Sequence, residues 1–237
     1  MIIRPNGATQ LLITQPDHAE LAARIMRRWR NNGFPHASDR SAILLAIEAH
    51  DNGWCEVDVS PLVDRATGRI LDFVEAPDPI KRDVWPRGVA RLAAAPHAAA
   101  LVAQHALHIY RRHRDQPDWA DFFADMEAAR DHHLRRAAMT LEDVRRAYFF
   151  LRIGDLTSLT FCNGWTEVQS DDSGSGVTIR LSGARVIVTP DPFEGEEIPF
   201  EVPARELPNR VFGSAAEALA AYSRAGQVKV RGVAAGG

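Results

Sequence analysis

Apolar positions recur at helical spacing through most of the first 162 residues and at strand spacing beyond them. At the start, Ile2-Ile3 and Leu11-Leu12-Ile13 flank Pro5-Asn6-Gly7, a turn signal, so Met1–Thr14 is predicted to form a short hairpin or extended arm. Thr14, followed by Pro16 and Asp17, starts a helix that runs to about Arg30, where Asn31-Asn32-Gly33 stops it. A second helix follows Ser38-Asp39 and runs to Asp51, closed by Asn52-Gly53. Trp54–Pro79 reads as a long ordered loop, a kind of segment that is often functional. Four more helices fit about Pro79–Ala94, Pro96–His113, Pro117–Arg136 and Leu141–Cys162.

After residue 162 the period becomes two. Ser170–Gly176 reads as a flexible loop, and Val177–Leu181 alternates as a half-buried strand should. Arg185–Thr189, Ile198–Val202 and Val228–Val230 are further strands, and Ser214–Arg224 is a short helix with a serine N-cap. Pro190, Pro192, Pro199, Pro203 and Pro208 argue for edge or irregular strands. The expected fold class is mainly α. A helical domain over 1–162 carries a smaller β-rich C-terminal subdomain, 163–237, that shields the helices or offers a homodimer face.

Composition narrows the function classes. At 46% hydrophobic and 25% charged over 237 residues, the chain is neither disordered nor collagen-like nor a disulfide mini-protein. No apolar run reaches the ~18 residues of a membrane helix, and Met1–Asn6 does not open a secretory signal. A net charge of −3 offers no basic excess for nucleic acid. Cys55 and Cys162 are far apart in sequence, which reads as two reduced thiols in a cytoplasmic protein.

Candidate chemistry comes from polar residues that interrupt apolar helix faces. His50 and Asp51 continue the stripe of Ile43, Leu44 and Ile47. His18 shares a face with Leu21, Ile25 and Trp29, and His105 with Ala98, Leu101 and Ile109. Asp155 shares one with Leu141, Val144, Tyr148 and Leu151. One buried histidine is ordinarily a hydrogen-bonded core residue. A buried carboxylate, however, costs several kcal/mol unless it is paired or bound to a metal, and here two aspartates and three histidines fall on such faces. Imidazole with carboxylate suits one or two divalent transition-metal ions: iron, manganese, zinc, nickel or cobalt.

These residues resemble the HD superfamily of metal-dependent phosphohydrolases, whose signature is H…HD…D. Here the matching residues are His18, His50-Asp51 and Asp155. Ile13–Ala19, His50–Trp54 with Asp58 and Pro61, Gly154–Leu159 and Pro190–Phe193 are similar to a bacterial family of HD-like proteins. The resemblance implies an HD-type helical bundle and metal-activated water attacking a phosphomonoester or phosphodiester. His18, His50, Asp51, His105 and Asp155 would hold metal, with Asp51 and Asp155 catalytic. Two-metal members place a further ligand where Glu127, His132 or His133 falls. Gln15, Trp54 and Asp58 are the candidate substrate contacts, and Arg40, Lys81 and Arg152 lie near ligand positions in sequence. An HD-type di-iron oxygenase and a non-catalytic metal-binding or regulatory helical module remain open as alternatives.

Overall fold

The computed structural model describes residues 1–170 and 176–237, so most of the expected Ser170–Gly176 loop lies outside the described residues. The chain opens with strands β1 (Ile2–Asn6) and β2 (Thr9–Ile13). Six helices follow: α1 (Gln15–Met26), α2 (Arg40–Ala49), α3 (Asp78–Arg91), α4 (Pro96–Ile109), α5 (Ala120–Ala137) and α6 (Leu141–Asn163). Strands β3 (Glu167–Ser170), β4 (Val177–Ser182), β5 (Arg185–Thr189) and β6 (Ile198–Pro208) come next, then α7 (Ala215–Arg224) and β7 (Gln227–Gly236).

The sheet corrects the expected fold class. The protein is not a mainly-α HD-type bundle with a small β-rich subdomain at its C-terminal end. Among the described residues, seven strands form one curled mixed sheet in the order β1-β2-β6-β7-β5-β4-β3. The N-terminal hairpin is part of it: β2 runs antiparallel to the end of β6, with Leu11 opposite Glu206 and Thr9 opposite Pro208. β5 pairs in parallel with β7. Local periodicity marks Ile2–Ile13 as extended, but its partner strand lies almost the whole chain away, and no local pattern encodes such a pairing.

The change of period expected after residue 162 falls at the end of α6. One hydrophobic core nevertheless crosses it, joining Ile25, Leu101 and Leu151 to Val186, Phe200 and Ala234. α6 packs against β1, β3, β4 and β5, and α1 against β6. β6 is longer than its sequence suggests and lies inside the sheet rather than at an edge. Pro199 and Pro203 are tolerated because their stretch pairs with β7 but has no β2 partner; β2 pairs only from Arg205 onward.

The helices make a second layer. α1, α2, α4 and α6 pack on one another, with α2 touching the other three. α3 lies on α4 and on a short 3-10 turn, Asn52–Trp54, and α5 covers α4 and α3. Among the described residues, no helix is long and apolar enough to cross a membrane.

Candidate metal centre

Each side chain of the predicted cluster is delivered by local structure that its sequence explains. Thr14 caps α1, its hydroxyl accepting from the Asp17 backbone N–H, which sets His18 in the first turns of the helix. His50 closes α2, and its Nδ1–H donates to the Ile47 carbonyl at 2.7 Å, satisfying an acceptor of the last turn. His105 comes from α4 and Asp155 from the middle of α6. Gly154 lets α6 approach closely: a Cβ there would lie 2.8 Å from Met26 Cγ and 3.2 Å from Ile47 Cγ2. The missing side chain thus brings Asp155 up to the end of α2.

All five residues meet. His18 Nε2 is 2.7 Å from Asp51 Oδ2. His50 Nε2 is 3.4 Å from both Asp51 Oδ2 and Asp155 Oδ1, and His105 Nε2 is 3.8 Å from Asp155 Oδ2. His18, His50 and Asp51 form one group of potential ligand atoms, and His50, His105 and Asp155 another, each within 4.8 Å. His50 belongs to both, and it has a single inward nitrogen, so the two groups describe one centre. All five residues are buried.

The outer hydrogen bonds assign the inward nitrogens. Ser158 spends its hydroxyl proton on the Asp155 carbonyl, so toward His18 Nδ1, 3.0 Å away, it accepts. His18 therefore carries its hydrogen on Nδ1, as His50 does against Ile47. The Nε2 lone pairs of both rings then face carboxylate oxygens. His50 Nε2 is buried without a hydrogen-bond partner. Acceptors facing acceptors need a cation between them, and a neutral imidazole steadied through its other nitrogen is the usual form of a metal ligand. Two donors of one tetrahedral ion with bonds of ~2.1 Å lie ~3.4 Å apart, which the His50 spacings match, while His18 and Asp51 stand at a hydrogen-bond spacing of 2.7 Å. The residues therefore fit a divalent transition metal.

The electrostatics agree. Burial pushes the His50 imidazole down, but the Asp51 and Asp155 carboxylates more than offset it and hold it at about 9. Burial pushes Asp155 up, yet the His50 imidazole 3.4 Å away, with His105 and His18 beyond, brings it to about 2. Asp51 is lowered in the same way, with burial opposed by His50 and His18. The pocket thus demands positive charge, which a proton supplies when no metal is bound. His105 is pushed down to about 4 by burial, only partly opposed by Asp155, and is neutral at pH 7.

A cavity of about 250 Å³ opens on this centre. Gln15 and Trp54 line it, and Lys81 reaches it from α3. Asp58 is not among its lining residues. Its carboxylate is buried and takes the Met1 ammonium at 2.8 Å and the Gln15 backbone N–H at 2.6 Å. Asp58→Asn leaves that ammonium without its counter-charge. It should cost about 3 kcal/mol, roughly 6–12 °C in Tm, with metal content unchanged; calorimetry and elemental analysis of the variant read both. Arg40 stacks on Phe34 and donates to the carbonyls of Arg27 and Trp29, and neither it nor Arg152 lines the cavity.

The α5 candidates do not join the centre. Glu127 pairs with Arg114 at 2.6 Å, and His132 and His133 stand outside both groups of ligand atoms. Sequence reasoning missed Ser158 and the role of Tyr148, whose hydroxyl lies 3.0 Å from His105 Nδ1. Both sit on the Asp155 face of α6, one and two turns away, so helical spacing could have found them. It also missed Trp85, Tyr110 and Arg112 on the cavity wall. Tyr110 and Arg112 lie just beyond the end of α4, and no local pattern aims them there.

Against known families, the model described as Protein of unknown function (DUF3891) matches residues 1–209. Comparison with curated proteins and with solved structures finds no match.

Proposed function

We propose that this chain, which belongs to the DUF3891 family, is a metal-dependent phosphohydrolase acting on a small phosphorylated molecule. The observation that supports it best is the pair of imidazole lone pairs, on His18 and His50, turned toward the carboxylates of Asp51 and Asp155 at the floor of an open cavity. The HD resemblance enters this reading through the ligand set alone, carried on a different architecture. A divalent ion held there supplies Lewis acidity to a phosphoryl oxygen and to an attacking water. His18, His50, His105 and Asp51 fix its position. Asp155, which lines both the centre and the cavity, stays ionised and orients the water by accepting a hydrogen bond from it. Lys81 and Arg112 meet the phosphate charge, and Trp54, Trp85 and Tyr110 exclude bulk water from around it. A cytoplasmic setting belongs to the same proposal; it is the compartment in which free Cys55 and Cys162 stay reduced.

The test pairs elemental analysis with phosphate release. The purified protein should carry about one transition-metal ion per chain. It should release phosphate from an aryl phosphate with manganese, iron, zinc, nickel or cobalt, losing this with chelator and regaining it with metal. Dioxygen consumption with bound iron and no phosphate release would instead mark an oxygenase. Stoichiometric metal with no turnover of any ester would mark a non-catalytic module.

A further inference from the structure

The cavity above the metal centre limits what can enter it. We propose that the substrate is a compact phosphomonoester, a dianionic phosphoryl head on a ring-sized apolar body, and not a nucleotide or a phosphodiester. The inference rests on the hydrolase reading for the reaction at its phosphoryl end.

Size is the first argument. Sites that enclose drug-sized ligands span about 300–1,000 Å³, and this cavity holds about 250 Å³. A phenyl phosphate fits inside that space, whereas a nucleoside monophosphate, about twice the size of phenyl phosphate, would project from its open side. Charge is the second. The two carboxylates of the centre balance one divalent ion, and the lining adds two cations, Lys81 and Arg112. Lys81 Nζ is anchored on the Val74 carbonyl at 2.8 Å; its 3.8 Å approach to Asp78 engages a half-exposed carboxylate and screens it little. Two positive charges match a monoester dianion. A diester leaves one of them uncompensated, and a triphosphate exceeds them both.

The wall is the third argument. Trp54, Trp85 and Tyr110 are buried, and the Trp85 indole packs edge-on to His105, with ring centroids 5.5 Å apart, so an apolar ring beside the phosphoryl group would meet aromatic faces. Apart from the metal ligands and the two cations, the polar groups there are Gln15 and Trp85, whose Oε1 and Nε1 are buried without hydrogen-bond partners, and the Tyr110 hydroxyl.

Calorimetric titration of the manganese-loaded protein tests this without turnover. The probes are phenylphosphonate, methylphosphonate, AMP and ATP. Phenylphosphonate should bind at least 10-fold more tightly than each of the other three. Arg112→Gln, at an exposed position, should weaken phenylphosphonate at least 5-fold, and Lys81→Met should do the same. Methylphosphonate binding equally well would remove the aromatic wall from recognition and overturn the proposal. So would AMP or ATP binding as tightly, or no phenylphosphonate binding with or without manganese. Tight phenylphosphonate binding without hydrolysis of phenyl phosphate would overturn the catalytic reading and leave the ligand class standing. Hydrolysis of other esters by a protein that ignores phenylphosphonate would do the reverse.

Discussion

Asp51→Asn should leave the protein folded and unable to hold an ion. The Asp51 carboxylate faces two imidazole lone pairs, His18 Nε2 at 2.7 Å and His50 Nε2 at 3.4 Å. An amide at that place keeps the volume and removes the charge. Losing a merely outer partner of a metal site already costs about 10–100-fold in affinity, so losing a carboxylate inside the centre should cost more than about 100-fold. Metal content should fall from about one ion per chain to under about a tenth. Phosphate release should drop by about a thousand-fold or more, the scale on which metal-dependent hydrolysis depends on its ion. Helical content should hold, because removing a buried carboxylate also removes its desolvation cost. Elemental analysis beside circular dichroism decides it. Wild-type metal content in a folded variant would mean that Asp51 is not a ligand.

Gly53→Ala is expected to have a large effect on stability. A Cβ on Gly53 would sit 1.8 Å from the Val84 carbonyl oxygen and 2.8 Å from its carbon. Both atoms belong to the backbone of α3, which cannot yield by rotating a side chain. α3 would have to lift off the Asn52–Trp54 turn, and Trp54 and Trp85 would lose their packing. Overpacking costs about 1–3 kcal/mol where side chains can adjust, and here they cannot, so about 3 kcal/mol or more is expected. That is roughly 6–12 °C in Tm for a chain of this size. Since Gly53 stands two residues after Asp51, metal affinity should fall as well. Gly226→Ala is the control: nothing lies within 4 Å of its Cβ position, and its Tm should stay within about 2 °C of wild type. Equal melting of the two variants would show that the α3 contact is not tight.

The candidate centre was more legible than the fold. His18, His50, Asp51, His105 and Asp155 each stood out because a polar group on an apolar helix face violates the helix's own pattern, and that test needs only a few turns of sequence. Ser158 and Tyr148 were legible by the same rule, since they share the Asp155 face of α6. Asp58 was not, because its proximity to the His50-Asp51 pair in sequence says nothing of the Met1 ammonium that it meets across the chain. Arg112 and Trp85 reach the cavity from segments whose own patterns are unremarkable.

From the order of residues alone came the helices, most strand segments and the set of side chains that burial would force to find a common partner. These follow from propensity and from the cost of burying charge, both of which act locally. Folding in three dimensions decided the rest. It drew the N-terminal hairpin into a sheet with β6, placed His50 between the two carboxylates, left α5 outside the centre, and shaped a cavity from Gln15, Lys81 and aromatic side chains of distant segments. Those outcomes depend on which surfaces fit one another, and shape complementarity between segments far apart in the chain leaves no periodic trace within either one.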